Sequence, residues 1–90
     1  MTALRREVLI ANRRGLHARA SAKFVSVASD LPATIEVEKD GNRVCGTSIM
    51  GLMMLGAAMG DSITIHVAGE GADDAMEQLV GLVESRFGED

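Results

Sequence analysis

Five residues near the N-terminus, Gly15-Leu16-His17-Ala18-Arg19, set a nucleophilic side chain beside a permanent cation where the hydropathy pattern changes. Before them the chain is rich in Val, Leu and Ile; from Leu16 onward apolar residues recur at steps of three and four, the mark of a helix face. His17 therefore falls at a helix start. The first N–H groups of a helix have no internal acceptor, and together with the macrodipole they attract anions. An imidazole nitrogen placed there has donors at hand for a phosphoryl group. Arg19 adds a guanidinium fork that suits phosphate oxygens, and Gly15 lets the loop approach closely without a side chain. The pattern fits a histidine that accepts and releases a phosphoryl group. It also fits a histidine that only caps a helix, and these residues alone leave both readings open.

A second group lies at Thr47 to Gly60. Thr47 or Ser48 is placed to cap a short helix over Ile49–Leu55, stopped by Gly56. Six of the seven residues from Ile49 to Leu55 are apolar, more than one face of a short helix buries. Met50, Met53, Met54 and Met59 crowd the same stretch. Some must fill core gaps, but the excess predicts an exposed, adaptable apolar patch for partners, with Ile49, Leu52 and Met53 as its contact residues. The remaining candidates read blandly. Cys45 is a small strand residue, and His66 alternates onto a wet strand face. Gly69-Glu70-Gly71 is a turn, with no phosphate-loop fingerprint around it. His17 and His66, without clustered carboxylates, make no metal site, and no cofactor is expected.

The elements that must position these residues follow from periodicity. Leu4–Asn12 reads as a strand, and Asn12-Arg13-Arg14-Gly15 as a polar break. Leu16, Ala20, Phe24, Val27, Ala28 and Leu31 define a helix over Ala18–Ser29, ended by Leu31-Pro32. Thr34–Lys39 alternates as a strand, Asp40-Gly41 signals a primed hairpin turn, and Arg43–Gly46 returns. Ser62–Ala68 alternates again. Ala72, Ala75, Met76, Leu79, Val80, Val83 and Phe87 give a last amphipathic helix, with Asp73 and Asp74 in its first turn and Arg86 in its last. The order is β-α-β-β-α-β-α. One-sided strands need a helix layer on their dry face, so the fold class is an α+β two-layer sandwich.

Ninety residues with 47% hydrophobic and 24% charged composition make one globular domain, residues 1–90. The net charge of −4 and the absence of Trp and Tyr exclude the basic, ring-bearing surface that nucleic-acid binding needs. The charge is uneven: residues 1–30 hold six basic and two acidic residues, and residues 31–90 three and eleven. An anion-binding or acid-facing surface is therefore expected around the N-terminal third. The first apolar run, Val8–Ala11, is too short for a signal-peptide core. The longest uncharged stretch, Val44–Gly60, carries four glycines and falls short of the roughly 20 apolar residues of a membrane span. One cysteine forms no internal disulfide, which fits a reducing cytoplasm.

Asn12-Arg13-Arg14-Gly15-Leu16-His17-Ala18-Arg19, followed by Ser48-Ile49-Met50-Gly51-Leu52-Met53-Met54-Leu55-Gly56, resembles the histidine-containing phosphocarrier proteins, HPr, of the bacterial phosphotransferase system. The resemblance covers nearly the whole chain in order and spacing. It implies an open-faced β-sandwich, a four-stranded antiparallel sheet with three helices on one face. It implies that His17 takes a phosphoryl group from enzyme I and passes it to an enzyme IIA domain. By the same resemblance Arg19 is the active-site arginine, Ser48 is the target of a serine kinase/phosphorylase, and the protein acts as a cytoplasmic monomer. A regulatory module that controls a partner through the phosphorylation of His17 and Ser48 is the alternative. The family usually has proline after the arginine, where this chain has Ala20, which keeps a backbone N–H that proline lacks. The Arg-Ala pair and the acidic tail Gly88-Glu89-Asp90 also resemble the nitrogen-related branch.

Overall fold

The computed structural model describes residues 3–89. Its elements are β1 (Ala3–Leu9), α1 (Ala18–Ser29), β2 (Thr34–Lys39), β3 (Asn42–Cys45), α2 (Ile49–Met54), β4 (Ser62–Ala68) and α3 (Ala72–Glu84), and a short turn at Arg86–Gly88 follows. The strands form one antiparallel sheet in the order β1-β4-β2-β3. The three helices cover one face.

The register explains why one face is dry. Val8 pairs with Ile63, Ile65 with Val37, and Val67 with Ile35, so strand alternation stacks the branched side chains on the helix side. All are buried, together with Phe24 of α1, Leu52 of α2, and Leu79 and Val83 of α3. Phe24 is fully enclosed, and truncating such a ring to alanine typically costs about 3–5 kcal/mol. On the open face the same alternation sets Arg5, His66 and Glu36 in one row. There Arg43 pairs with Glu36 at 2.9 Å and His66 with Glu38 at 2.8 Å. His66 lies on the wet face as its alternation predicts, but its ring is mostly covered and held by Glu38.

Most expected elements are present, and the departures have physical causes. β1 ends at Leu9, opposite Ser62, where β4 begins and the ladder has no further partner. The loop beyond stays tied to the strand by Ile10 N–H donating to Asp61 O at 2.8 Å. The Asp40-Gly41 turn has φ of 52° and 82°, the primed geometry that matches strand twist. The last helix does not reach Phe87. It stops at Glu84, and Arg86, Phe87 and Gly88 take left-handed φ of 60°, 55° and 74°. Arg86 therefore lies outside the helix and not in its last turn. Phe87 is still buried, but as an anchor for a chain reversal.

Candidate functional site

Gly15 builds the site by what it lacks. Its φ is +64°, and a Cβ added there would overlap the backbone carbonyl oxygen of Ala57 and sit 2.9 Å from the Ala58 Cα. That approach lets Leu16 N–H donate to Ala57 O at 2.9 Å, which fastens the loop against the segment after α2. Leu16 O in turn accepts from the buried Ser21 hydroxyl at 3.2 Å. The loop delivers His17 to the N-cap of α1 with extended backbone, φ −74° and ψ 179°.

Both imidazole nitrogens are engaged. Nδ1 accepts the backbone N–H of Arg19 at 3.2 Å. Nε2 lies 2.5 Å from Glu89 Oε2. A backbone N–H only donates, so Nδ1 presents its lone pair; the carboxylate only accepts, so Nε2 carries the proton. The tautomer is thereby set, with Nδ1 as the nucleophilic nitrogen at the helix start. Burial alone would raise the Glu89 carboxyl. Hydrogen bonds from Asn12 and His17, then the electrostatic pull of the His17 ring and of Lys23, outweigh it and hold the group below its ordinary value.

Asn12 ties this arrangement together. Fully buried, it spends one amide hydrogen on Gly15 O at 2.8 Å and the other on Glu89 Oε1 at 3.1 Å. Its carbonyl oxygen finds no partner among the described residues. Glu89 arrives by the left-handed turn after α3, where Lys23 Nζ donates to Phe87 O at 2.7 Å. Two non-glycine residues in the left-handed region cost on the order of 1–3 kcal/mol each. Burial of Phe87 and the Lys23 contact hold the turn in that conformation.

Arg19 is exposed on the first turn of α1 and lines a surface hollow with Arg13, Arg14 and Glu89. Three arginines thus gather around Glu89, whose carboxylate meets His17. Ala20 is fully buried at the third helical position. A wider hollow on the open sheet face, lined by Arg5, Glu36, Arg43 and His66 among others, has no helix start beside its imidazole.

Ser48 does cap α2: its hydroxyl accepts the Gly51 N–H at 3.0 Å. The apolar patch is present too. Ile49 and Met53 are each 40% exposed, Met50 68%, Met59 57% and Met54 80%. One expected contact residue is misplaced: Leu52 is fully buried, because it turns to the opposite side of α2 and packs into the core. It supports the patch from beneath. α2 packs against α1, which brings the patch next to the helix that His17 caps. Cys45 lies exposed at the end of β3, its thiol pushed down chiefly by a hydrogen bond with Thr47.

Two site residues escape sequence reasoning. Asn12 looks like any turn asparagine before a glycine. Glu89 sits 72 positions from His17, and only the unexpected chain reversal brings them together.

A family model described as "PTS HPr component phosphorylation site" matches residues 4–85. Phosphocarrier protein HPr of Cupriavidus necator is 41% identical over 86 residues, spanning 96% of this chain and 97% of that protein. Phosphocarrier protein NPr of Shewanella violacea is 39% identical over 89 residues, spanning 99% and 98%. The crystal structure of HPr-C-His from Thermoanaerobacter tengcongensis superposes with a TM-score of 0.90 at 41% identity, covering 100% of this chain and 99% of that one. A dimeric crystal structure of HPr from the same organism also matches, with a TM-score of 0.77 at 44% identity over 91% of this chain and 94% of that one.

Proposed function

The chain belongs to the HPr family of the phosphotransferase system, and from that premise we propose that His17 is the residue that bears the phosphoryl group. The protein is a phosphoryl carrier and not an enzyme. The observation that supports His17 is its pair of opposed contacts. Arg19 N–H points at Nδ1 while Glu89 occupies Nε2. Nδ1 is then the acceptor atom. Once a phosphoryl group is attached, the Arg19 N–H, the α1 dipole and the Arg19 guanidinium supply donors to its oxygens.

The donor in this reading is phosphorylated enzyme I and the acceptor an enzyme IIA domain. Both approach over Ile49, Met50, Met53 and Met54, whose flexible thioethers adapt to more than one surface. Arg13, Arg14 and Arg19 steer acidic partners toward His17. The carrier works as a single-domain monomer in the cytoplasm. No described helix is long and apolar enough to cross a membrane.

A second, compatible reading concerns regulation. Ser48 opens α2 beside the apolar patch, so a kinase that phosphorylates it sets about −1.5 to −2 charges where partners dock. That charge suits the helix N-terminus but opposes desolvation of an apolar interface.

The test is to incubate the protein with enzyme I and phosphoenolpyruvate, then add an enzyme IIA domain. The reading requires an acid-labile, base-stable mass gain of one phosphate that disappears when the acceptor is added. A gain that persists beside a competent acceptor would favour a regulatory module over a carrier.

A further inference from the structure

The C-terminal strap makes contact with the reacting ring, and its geometry carries a consequence for the phosphorylated state. We propose that Glu89 is a positioning residue that keeps the proton on Nε2 of His17 through the phosphoryl cycle, and thereby sets how readily the phosphoryl group leaves. This rests on the reading that His17 is the carrier residue.

The electron balance shows why the proton matters. In the forward step the Nδ1 lone pair attacks phosphorus, the Nδ1–P bond forms, and the donor departs with its own electron pair. With Nε2 protonated, the phosphorylated ring is a cation. In the onward step the acceptor attacks phosphorus, the Nδ1–P bond breaks, and its electron pair returns to Nδ1. The leaving group is then a neutral imidazole, and no proton has moved. If Nε2 loses its proton first, the leaving group is an imidazolate anion, and departure is far slower. A carboxylate against Nε2 favours the cation and so the reactive form.

The surroundings make this contact decisive. Arg13, Arg14 and Arg19 share a surface hollow with Glu89, and Lys23 is close enough to act on Glu89. All four cations oppose a positive ring. The carboxylate that meets it is Glu89, through Nε2 and Oε2 at 2.5 Å. Its placement is over-determined. Asn12 holds Oε1, Phe87 is buried, Lys23 ties Phe87 O, and two non-glycine residues accept left-handed φ to make the reversal.

Glu89→Gln removes the charge and keeps one oxygen that accepts from Nε2–H, while its amide nitrogen gives up the bond from Asn12. Wild type, Glu89→Gln and Glu89→Asp are loaded with phosphoramidate, which needs no partner protein. Peptide mapping locates the phosphate on His17, and phosphorus NMR follows its hydrolysis from pH 5 to 9 at fixed salt. An opposite charge in contact shifts such titrations by about 1–3 units. The Glu89 side chain is 19% exposed, so the lower end applies. The pH at which hydrolysis slows should fall by roughly one unit in Glu89→Gln, with the low-pH plateau unchanged. At pH above both midpoints that is about a tenfold longer-lived phosphohistidine. Glu89→Asp should lie between the two. Superimposable profiles, or one uniform scaling at every pH, would overturn the proposal and leave Glu89 as a structural strap. A wild-type protein that takes phosphate only elsewhere would instead overturn the carrier assignment of His17.

Discussion

Replacing Gly15 with alanine tests whether the site depends on the close approach that fixes its loop. Two penalties arise. The left-handed backbone, φ +64°, costs an L-residue about 1–2 kcal/mol. The new Cβ also overlaps the carbonyl of Ala57, a backbone atom that cannot rotate away, so the two segments must part. Parting them breaks the 2.9 Å bond from Leu16 N–H to Ala57 O, worth about 0.5–1.5 kcal/mol. The total is about 1.5–3.5 kcal/mol. A domain of this size loses about 4–8 °C per kcal/mol, so thermal unfolding followed by circular dichroism should fall by about 6–28 °C. Gly41→Ala is the internal control: its φ of +82° is equally left-handed, but its Cβ meets nothing within 4 Å. It should lose about 1–2 kcal/mol, for the backbone alone. Gly15→Ala should also accept phosphate more slowly at a temperature where it is folded, because His17 moves with the loop. Equal destabilisation by the two substitutions would refute the close-approach argument.

Three further outcomes follow from the same geometry. Arg19→Lys should slow phosphoryl transfer and Arg19→Ala should slow it further, by about 1.5–3 kcal/mol for a charge-assisted bond, or roughly ten- to a hundredfold; stopped-flow transfer assays measure it, and unfolding should be unchanged because the side chain is exposed. Ser48→Asp should keep its stability within about 1 kcal/mol, since aspartate also caps helices, yet bind enzyme I more weakly in titration calorimetry; equal affinities would reduce Ser48 to a cap. The Glu89 carboxyl lies below its ordinary value of 4.5, so the folded state holds fewer protons there than the unfolded state. Its contribution is complete above the unfolded value and is lost as pH falls through the folded one. Glu89→Gln should therefore flatten the decline of stability below about pH 4.5, and an unaltered acid limb would contradict that.

The sheet and helices are legible in the sequence because each buries one face, and alternation or three-and-four spacing records which. Thr34–Lys39, Ser62–Ala68 and Ala18–Ser29 are bounded as periodicity and the Asp40-Gly41 and Leu31-Pro32 breaks indicate. The placement of His17 and Arg19 at a helix start is legible because the hydropathy period changes there. The failures occur where local pattern and tertiary packing diverge. Phe87 continues the apolar spacing of α3, yet the chain reverses there, since burial of the ring matters more than helical φ. Leu52 reads as part of an apolar surface, because composition does not say which residues of a short helix turn inward. Asn12 and Glu89 belong to the site only through contacts between opposite ends of the chain, and no local spacing records those.

The central claim is that one nitrogen of one histidine carries the phosphoryl group. The direct test is to phosphorylate nitrogen-15-labelled protein with enzyme I and phosphoenolpyruvate, and to read phosphorus–nitrogen couplings in the imidazole rings. The geometry predicts coupling to Nδ1 of His17, a free His66 ring and no signal in His17→Ala. Phosphate on Nε2 of His17, on His66, or surviving in His17→Ala would contradict it.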